Sequence, residues 1–218
     1  MMLGGDVGKL SKEQKRVLNK IAVSNERMIS LVNGLLNISR IEAGRMMVEP
    51  EPVDIVKLTK SVIAELDPLI NAHNHDFKMK FSKLPMIKMD PKLINQVITN
   101  FLSNAIKYTP GGGKINIRIS RVGRNVKWTI KDNGLGVPTE QHAHVFNKFF
   151  RAHNVTGSNI NGTGLGLYVV KQIVEVSGGK IGFSSAENKG SSFWFTLPLS
   201  GSKRVEGEKG LEYFGVHA

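Results

Sequence analysis

Cysteine is absent from the 218 residues. No disulfide and no thiolate chemistry is therefore available, and any bound metal must take oxygen or nitrogen ligands. Long apolar runs are absent too: none approaches the roughly 18 residues of a membrane span. The opening residues lack a basic-then-apolar leader pattern, so a cytoplasmic setting is expected. The P-loop pattern G-x-x-x-x-G-K-[ST] does not occur. The glycines at 162, 164 and 166 follow G-x-G-x-G rather than G-x-G-x-x-G, with no strand directly before them. A P-loop enzyme and a dinucleotide-binding dehydrogenase are thus both disfavoured. Long basic runs are missing as well, although Lys and Arg (30) outnumber Asp and Glu (18), giving a net charge of +12. These cations are scattered. They read as solvated surface that helps attract a nucleotide or an acidic partner, and no nucleic-acid partner is expected.

What is present is ordinary globular composition, 40% apolar, in a chain long enough for one packed domain and an appendage. Residues 1–10, with Gly4, Gly5 and Gly8, read as a turn. Ser11, with Gln14 three residues on, forms a capping-box pattern. A helical apolar periodicity (Val17, Leu18, Ile21, Met28, Leu31, Val32, Leu35, Ile38, Ile41) runs from there to about Ala43, where Gly44 gives a stop. Such a helix is about 50 Å long, too long to pack wholly on a small domain. Its stripe is expected to meet other helices, and two copies of the chain would pair through it.

Pro50 and Pro52 mark a linker into a second domain. Asp54 caps a helix to about Asn71. His75–Phe81 and Met86–Met89 read as strands, and Asp90-Pro91 starts a further helix. Ile115, Ile117 and Ile119, then Val126, Trp128 and Ile130, alternate with polar residues around a turn at Gly123-Arg124-Asn125. Pro138–Phe150 is expected to be helical, Arg151–Asn161 a loop, and 164–177 a helix. Ile181–Ser185 and Ser191–Leu199 read as a closing hairpin. The tail from Ser200 lacks a pattern; Leu211, Tyr213 and Phe214 are its candidate docking residues. Strands and helices do not alternate as a doubly wound parallel sheet requires. The expected class is therefore α/β, a two-layer α/β sandwich in which an antiparallel or mixed sheet carries helices on one face, preceded by a long helix.

The helix after Asp90 has two faces. Ile94, Val97, Ile98, Phe101, Leu102, Ala105 and Ile106 form the apolar one. Asn100, Asn104, Lys107 and Tyr108 fall within an arc of roughly 100° on the other. Two carboxamides offer oxygen to a hard cation such as Mg²⁺, and the ammonium offers charge to phosphate. Three further blocks follow in order: Asp132-Asn133-Gly134-Leu135-Gly136, Phe146-Asn147-Lys148-Phe149-Phe150-Arg151, and Gly162-Thr163-Gly164-Leu165-Gly166-Leu167. Gly134 and Gly136 permit close backbone approach. Residues Gly162 to Gly166 precede a helix, whose free N–H groups suit phosphate.

With their order and spacing, these four blocks resemble the N, G1, F and G2 boxes of the histidine-kinase catalytic domain, a member of the superfamily of gyrase B subunits, MutL proteins and heat-shock ATPases. The resemblance covers roughly residues 11 to 199. It implies ATP and Mg²⁺ as cofactors, Asp132 accepting the adenine amine, Asn104 with Asn100 at the metal, and Lys107 at a phosphate. It also implies Tyr108 and Lys148 beside the nucleotide, Arg151 at the γ-phosphate, and a mobile lid whose Phe146, Phe149 and Phe150 anchor it in the core. Related ATPases carry glutamate where Asn100 stands. Asparagine cannot activate water as a base, which points to phosphoryl transfer onto a protein histidine rather than rapid hydrolysis. An ATPase or a nucleotide-binding pseudokinase is the alternative.

Leu35–Gly44 resembles the end of the second helix of the family's dimerisation hairpin. The expected division is 1–48 partial hairpin, 49–199 catalytic ATP-binding domain and 200–218 tail. None of the six histidines (73, 75, 142, 144, 153, 217) sits where the family's phospho-accepting histidine would. The acceptor is thus expected on a hairpin helix outside this sequence, in cis in a full-length protein or in trans. The implied partner is a response regulator receiver domain, and the implied setting is cytoplasmic, alone or as part of a membrane-bound sensor.

Overall fold

The computed structural model describes residues 10–155 and 162–208. It opens with α1 (Lys12–Glu42), whose N-terminus is closed by the capping box: Ser11 Oγ accepts from Gln14 N at 3.1 Å, and Gln14 Oε1 accepts from Ser11 N at 2.8 Å. Gly44, at φ +65, turns the chain out of the helix. Much of the apolar stripe stays uncovered: Val17, Ile21, Met28, Val32 and Leu35 are exposed. Only its C-terminal end packs, with Ile38 buried and α1 against α4 (Gly166–Val176).

The segment expected as a linker is itself structured. β1 (Glu51–Val53) pairs antiparallel with β3 (Ile87–Met89). α2 (Ile55–Ala72) follows, capped by Asp54 through Val56 N and Lys57 N. β2 (Asp76–Phe81), α3 (Pro91–Tyr108), β4 (Lys114–Val122) and β5 (Asn125–Asp132) come next; β6 (Lys180–Ala186) and β7 (Gly190–Pro198) close the domain. The main sheet runs β2-β4-β5-β7-β6. β2 lies parallel to β4, and every other pairing is antiparallel. It is the mixed sheet of an α/β sandwich, with α2, α3 and α4 on one face.

Alternation explains the core. Ile115, Ile117, Ile119, Val126, Trp128, Ile130, Phe195 and Leu197 all point inward and are buried. Phe101 of α3 stacks on Trp128, ring centroids 5.9 Å apart, and Trp128 on Phe195 at 5.6 Å. The Trp128 indole donates to Thr59 Oγ1 at 3.1 Å, and that hydroxyl donates to Ile55 O. These two buried polar groups are thereby satisfied.

Two expectations change. Pro138–Phe150 is not an α-helix: a 3₁₀ helix spans Thr139–His144, and turns follow. His142 and Phe146 both turn their rings onto Phe183 of β6, at 5.0 and 5.7 Å. Phe149 sits at φ +60 and is 56% exposed, so it does not anchor the segment in the core. The tail is not patternless either. Val205 exchanges backbone hydrogen bonds with Val48, Ser202 N donates to Lys88 O, and the Glu208 carboxylate meets Arg40 and Arg45. Residues 200–208 thus strap the junction between α1 and the sheet domain. Leu211, Tyr213 and Phe214 lie outside the described residues.

Candidate functional site

The apolar stripe of α3 is buried against the sheet, so its opposite face is held at fixed height over the neighbouring loops. Asp90 caps the helix through Lys92 N and Leu93 N, with Pro91 in the first turn. On the outward face Asn104 donates to Asn100 Oδ1 at 3.1 Å, one turn apart. Asn104 keeps its own carboxamide oxygen. Asn100 turns its amide nitrogen to Gly166, where any side chain would collide with it. That glycine lets the first turn of α4 close on α3.

The start of α4 has no side-chain cap: Leu165 occupies the capping position without a side-chain hydrogen bond. Its buried side chain plugs the core, while its N–H donates to Thr163 Oγ1 at 3.3 Å. Free N–H groups of the following turn are thus available to an anion. Gly164, at φ +73, backs onto the main chain of Phe149, and a Cβ there would meet it. Arg151 donates to Gly162 O, at the 3.5 Å limit of a hydrogen bond.

These pieces form an open cleft lined by both asparagines, Lys107, Tyr108, Arg151 and residues of the Gly162–Leu167 segment. Burial pushes the Lys107 ammonium below the ordinary lysine range. It makes no salt bridge among the described residues, so the cleft holds a desolvated cation in want of an anion. Burial raises the Tyr108 phenol, and the neighbouring Arg151 charge opposes that shift.

Asp132 lies at the end of β5, behind Tyr108. Its Oδ1 accepts from Gly134 N at 2.9 Å and Ser191 N at 3.1 Å. Burial nonetheless raises its pKa above the ordinary carboxylate range, those hydrogen bonds acting against the shift. Gly134 passes so close to the Tyr108 carbonyl that no side chain fits, and Leu135 N donates to that carbonyl at 3.0 Å. Gly136, at φ +64, is pressed against Ala186.

Five of the expected site residues stand outside the cleft lining: Asp132, Gly134, Gly136, Lys148 and Leu165. Lys148 does not line the cleft: its ammonium pairs with Glu42 in the last turn of α1 and lies 5.2 Å from the Tyr168 ring centroid. Gly136 packs the turn after β5 onto Ala186 at the end of β6 rather than forming the cleft wall. Sequence reasoning passed over Ser103 and Leu167, which also line the cleft, and Phe150, expected to anchor the lid in the core, lines it too. Ser103 could have been found as the i+3 neighbour of Asn100. Among the described residues, no three His, Cys, Asp or Glu side chains gather to hold a metal ion. No described helix is long and apolar enough to cross a membrane.

The family described as histidine kinase-, DNA gyrase B- and HSP90-like ATPase matches residues 89–201, which span α3, the cleft and β7. The chain is 35% identical over 198 residues to the adaptive-response sensory kinase SasA of Synechococcus sp., covering 89% of this chain and 52% of that protein. It is 30% identical over 194 residues to the circadian input-output histidine kinase CikA of Synechococcus elongatus, covering 88% of this chain and 26% of that protein. Among solved structures, full-length ShkA in complex with AMPPNP superposes with a TM-score of 0.76 at 28% identity, covering 92% of this chain and 42% of ShkA. The chain therefore spans about a quarter to a half of the length of these relatives. It belongs to the histidine kinase-, DNA gyrase B- and HSP90-like ATPase family, and within it carries the catalytic ATP-binding domain of the sensor histidine kinases.

Proposed function

We propose that the chain binds Mg-ATP in the cleft between α3 and α4 and donates the γ-phosphoryl group to a histidine on a dimerisation-type hairpin. The observation that carries this reading is the Lys107 ammonium, desolvated and without a salt bridge, in the same cleft as the uncapped start of α4. Both features attract phosphate, and neither has another use in the fold.

Adenine is assigned to Asp132. One carboxylate oxygen is held by Gly134 N and Ser191 N, which leaves the other for an exocyclic amine. Tyr108 and Gly134 form the adjoining wall. The triphosphate is assigned to Lys107, to the Gly162–Gly166 backbone including Thr163, and to Arg151. Magnesium fits here only with the nucleotide. Two neutral carboxamides are a poor cage by themselves, but Mg²⁺ keeps several waters and takes phosphate oxygens as ligands. Asn104 is the direct ligand, because its oxygen is not committed; Asn100 positions it. Bound there, the cation neutralises charge on the transferring phosphate. Arg151 adds a guanidinium on the γ-phosphate side. Asn100 offers no base to water, which favours transfer to a histidine over hydrolysis.

On this reading Lys148 supports the site from outside the cleft. On the same reading the acceptor hairpin lies next to α1, and a response regulator receiver domain takes the phosphoryl group next. Residues 1–48 are then the partial hairpin, 49–199 the catalytic domain and 200–218 the tail, with pairing of two chains through the exposed stripe of α1. Calorimetric titration of ATP with and without Mg²⁺ tests the binding step. Tight, Mg-dependent binding supports it, and its absence refutes it.

A further inference from the structure

Among the described residues, one face of the five-stranded sheet carries no helix. The registers arrange its outward side chains in rows. Lys80, Arg118, Thr129, Trp194 and Gly182 form one row; Lys78, Asn116, Lys131 and Ser192 form the next. Lys127, Thr196 and Lys180 form a third. Each row carries two cations. Lys114 stands at the sheet's end beside Asp76, the one carboxylate among the strand positions of this face. Asp76 pairs with Lys78 at 3.4 Å. No other salt bridge neutralises these cations among the described residues.

Part of the positive charge scattered along the sequence is thus gathered by the β-register into a flat lattice. Its spacing is about 4.8 Å across strands and roughly 7 Å along them. Near its middle lies Trp194, half-buried, its ring laid over Gly182 and the Lys127 ammonium 4.5 Å from its centroid.

A lattice of this kind fits a planar field of negative charge better than a shaped ligand. All but one of the cations are lysines, point charges without the fork that grips a single phosphate in two bonds. Single-stranded nucleic acid is held by a series of stacking rings, and this face has one ring, with one side lying on Gly182. A duplex groove admits a helix or a two-stranded ribbon, not the breadth of five strands. A half-buried indole among lysines suits the boundary between lipid headgroups and acyl chains.

We propose that the open sheet face is a docking surface for an anionic lipid bilayer. The contact is reversible and electrostatic, each cation near such a surface strengthening partition by about fivefold. It needs neither nucleotide nor the cleft, so it stands apart from the proposed kinase chemistry.

The test is co-sedimentation of the full chain with phosphatidylcholine vesicles, with and without phosphatidylglycerol, at low and high salt. Binding is expected only with phosphatidylglycerol, falling as salt rises. Trp128 is fully buried, so a blue shift of emission on binding reports Trp194. Lys80→Glu/Arg118→Glu/Lys131→Glu is expected to lower partition at least tenfold. Lys12→Glu/Lys15→Glu/Lys20→Glu on α1 is expected to leave it unchanged. The neutralising set Lys80→Gln/Arg118→Gln/Lys131→Gln gives the same reading if the reversed set misfolds. Equal binding to neutral vesicles, or retained binding by both sheet variants, overturns the proposal. So does displacement from vesicles by a labelled oligonucleotide bound more tightly at the same salt, which would give the face to nucleic acid.

Discussion

Asn104 donates its side-chain amide to the Asn100 carboxamide oxygen at 3.1 Å, so of these two neighbours only Asn104 retains a free oxygen facing the cleft. The two residues, equivalent by composition, thereby acquire different roles. Asn104→Ala is expected to abolish the gain in ATP affinity that Mg²⁺ confers, while binding without Mg²⁺ stays within a few-fold. Calorimetry at both conditions reads this directly. Equal loss in both would place Asn104 on the nucleotide rather than on the cation.

Asp132 is the second discriminating position. Asn fills the same space and still accepts from Gly134 N, but its other side presents an amide where an amine must be accepted. Asp132→Asn is expected to weaken ATP binding by about tenfold or more. Its stability has an opposite signature. Burial raises the Asp132 pKa in the folded state above the unfolded value of 3.8, so the folded state holds the proton more tightly. The domain then loses stability as pH rises from the unfolded value through the folded one. Asp132→Asn removes that loss, and thermal melts across the acid range will show a flatter profile for the variant.

Lys107 trades stability for binding. A desolvated ammonium without a salt bridge costs the empty domain free energy. With the folded pKa below the unfolded one, that cost is full at low pH and is relieved as pH rises toward the unfolded value of 10.5. Lys107→Met is expected to stabilise the nucleotide-free protein by about 1 kcal/mol, or roughly 2–4 °C in Tm. ATP affinity should fall by at least tenfold. A variant that is less stable and still binds would refute the assignment.

Much of this was legible in the sequence because it is local. The Ser11–Gln14 capping box, Asp90-Pro91, the alternating isoleucines of β4 and the polar face of α3 each depend on a few neighbouring residues, and each appears where its spacing places it. What was illegible is nonlocal. The pairing of β1 with β3, the parallel placement of β2, and the Val48–Val205 strap join segments far apart in the chain. The Pro138–Phe150 segment was expected to be helical, whereas His142 and Phe146 are drawn to Phe183 and Phe149 stands outside at positive φ. Tertiary contacts there override the local pattern.

Lys148 belongs to the same class. The family resemblance implies a place beside the nucleotide, and its ammonium instead meets Glu42, 106 residues away. That pairing raises its pKa. Lys148→Ala is expected to leave ATP affinity within about twofold, since an exposed ion pair contributes little. A larger loss would mean that Lys148 swings from Glu42 to the nucleotide on binding.

The measurement that reaches furthest is phosphate transfer from γ-labelled ATP to a histidine-bearing hairpin supplied in trans, with this chain present in catalytic amount. Acid-labile, base-stable label on the hairpin is predicted, lost when the acceptor histidine is replaced. ATP that binds in the cleft but leaves the hairpin unlabelled, releasing inorganic phosphate or nothing, would contradict phosphoryl transfer and leave an ATPase or a nucleotide-binding module.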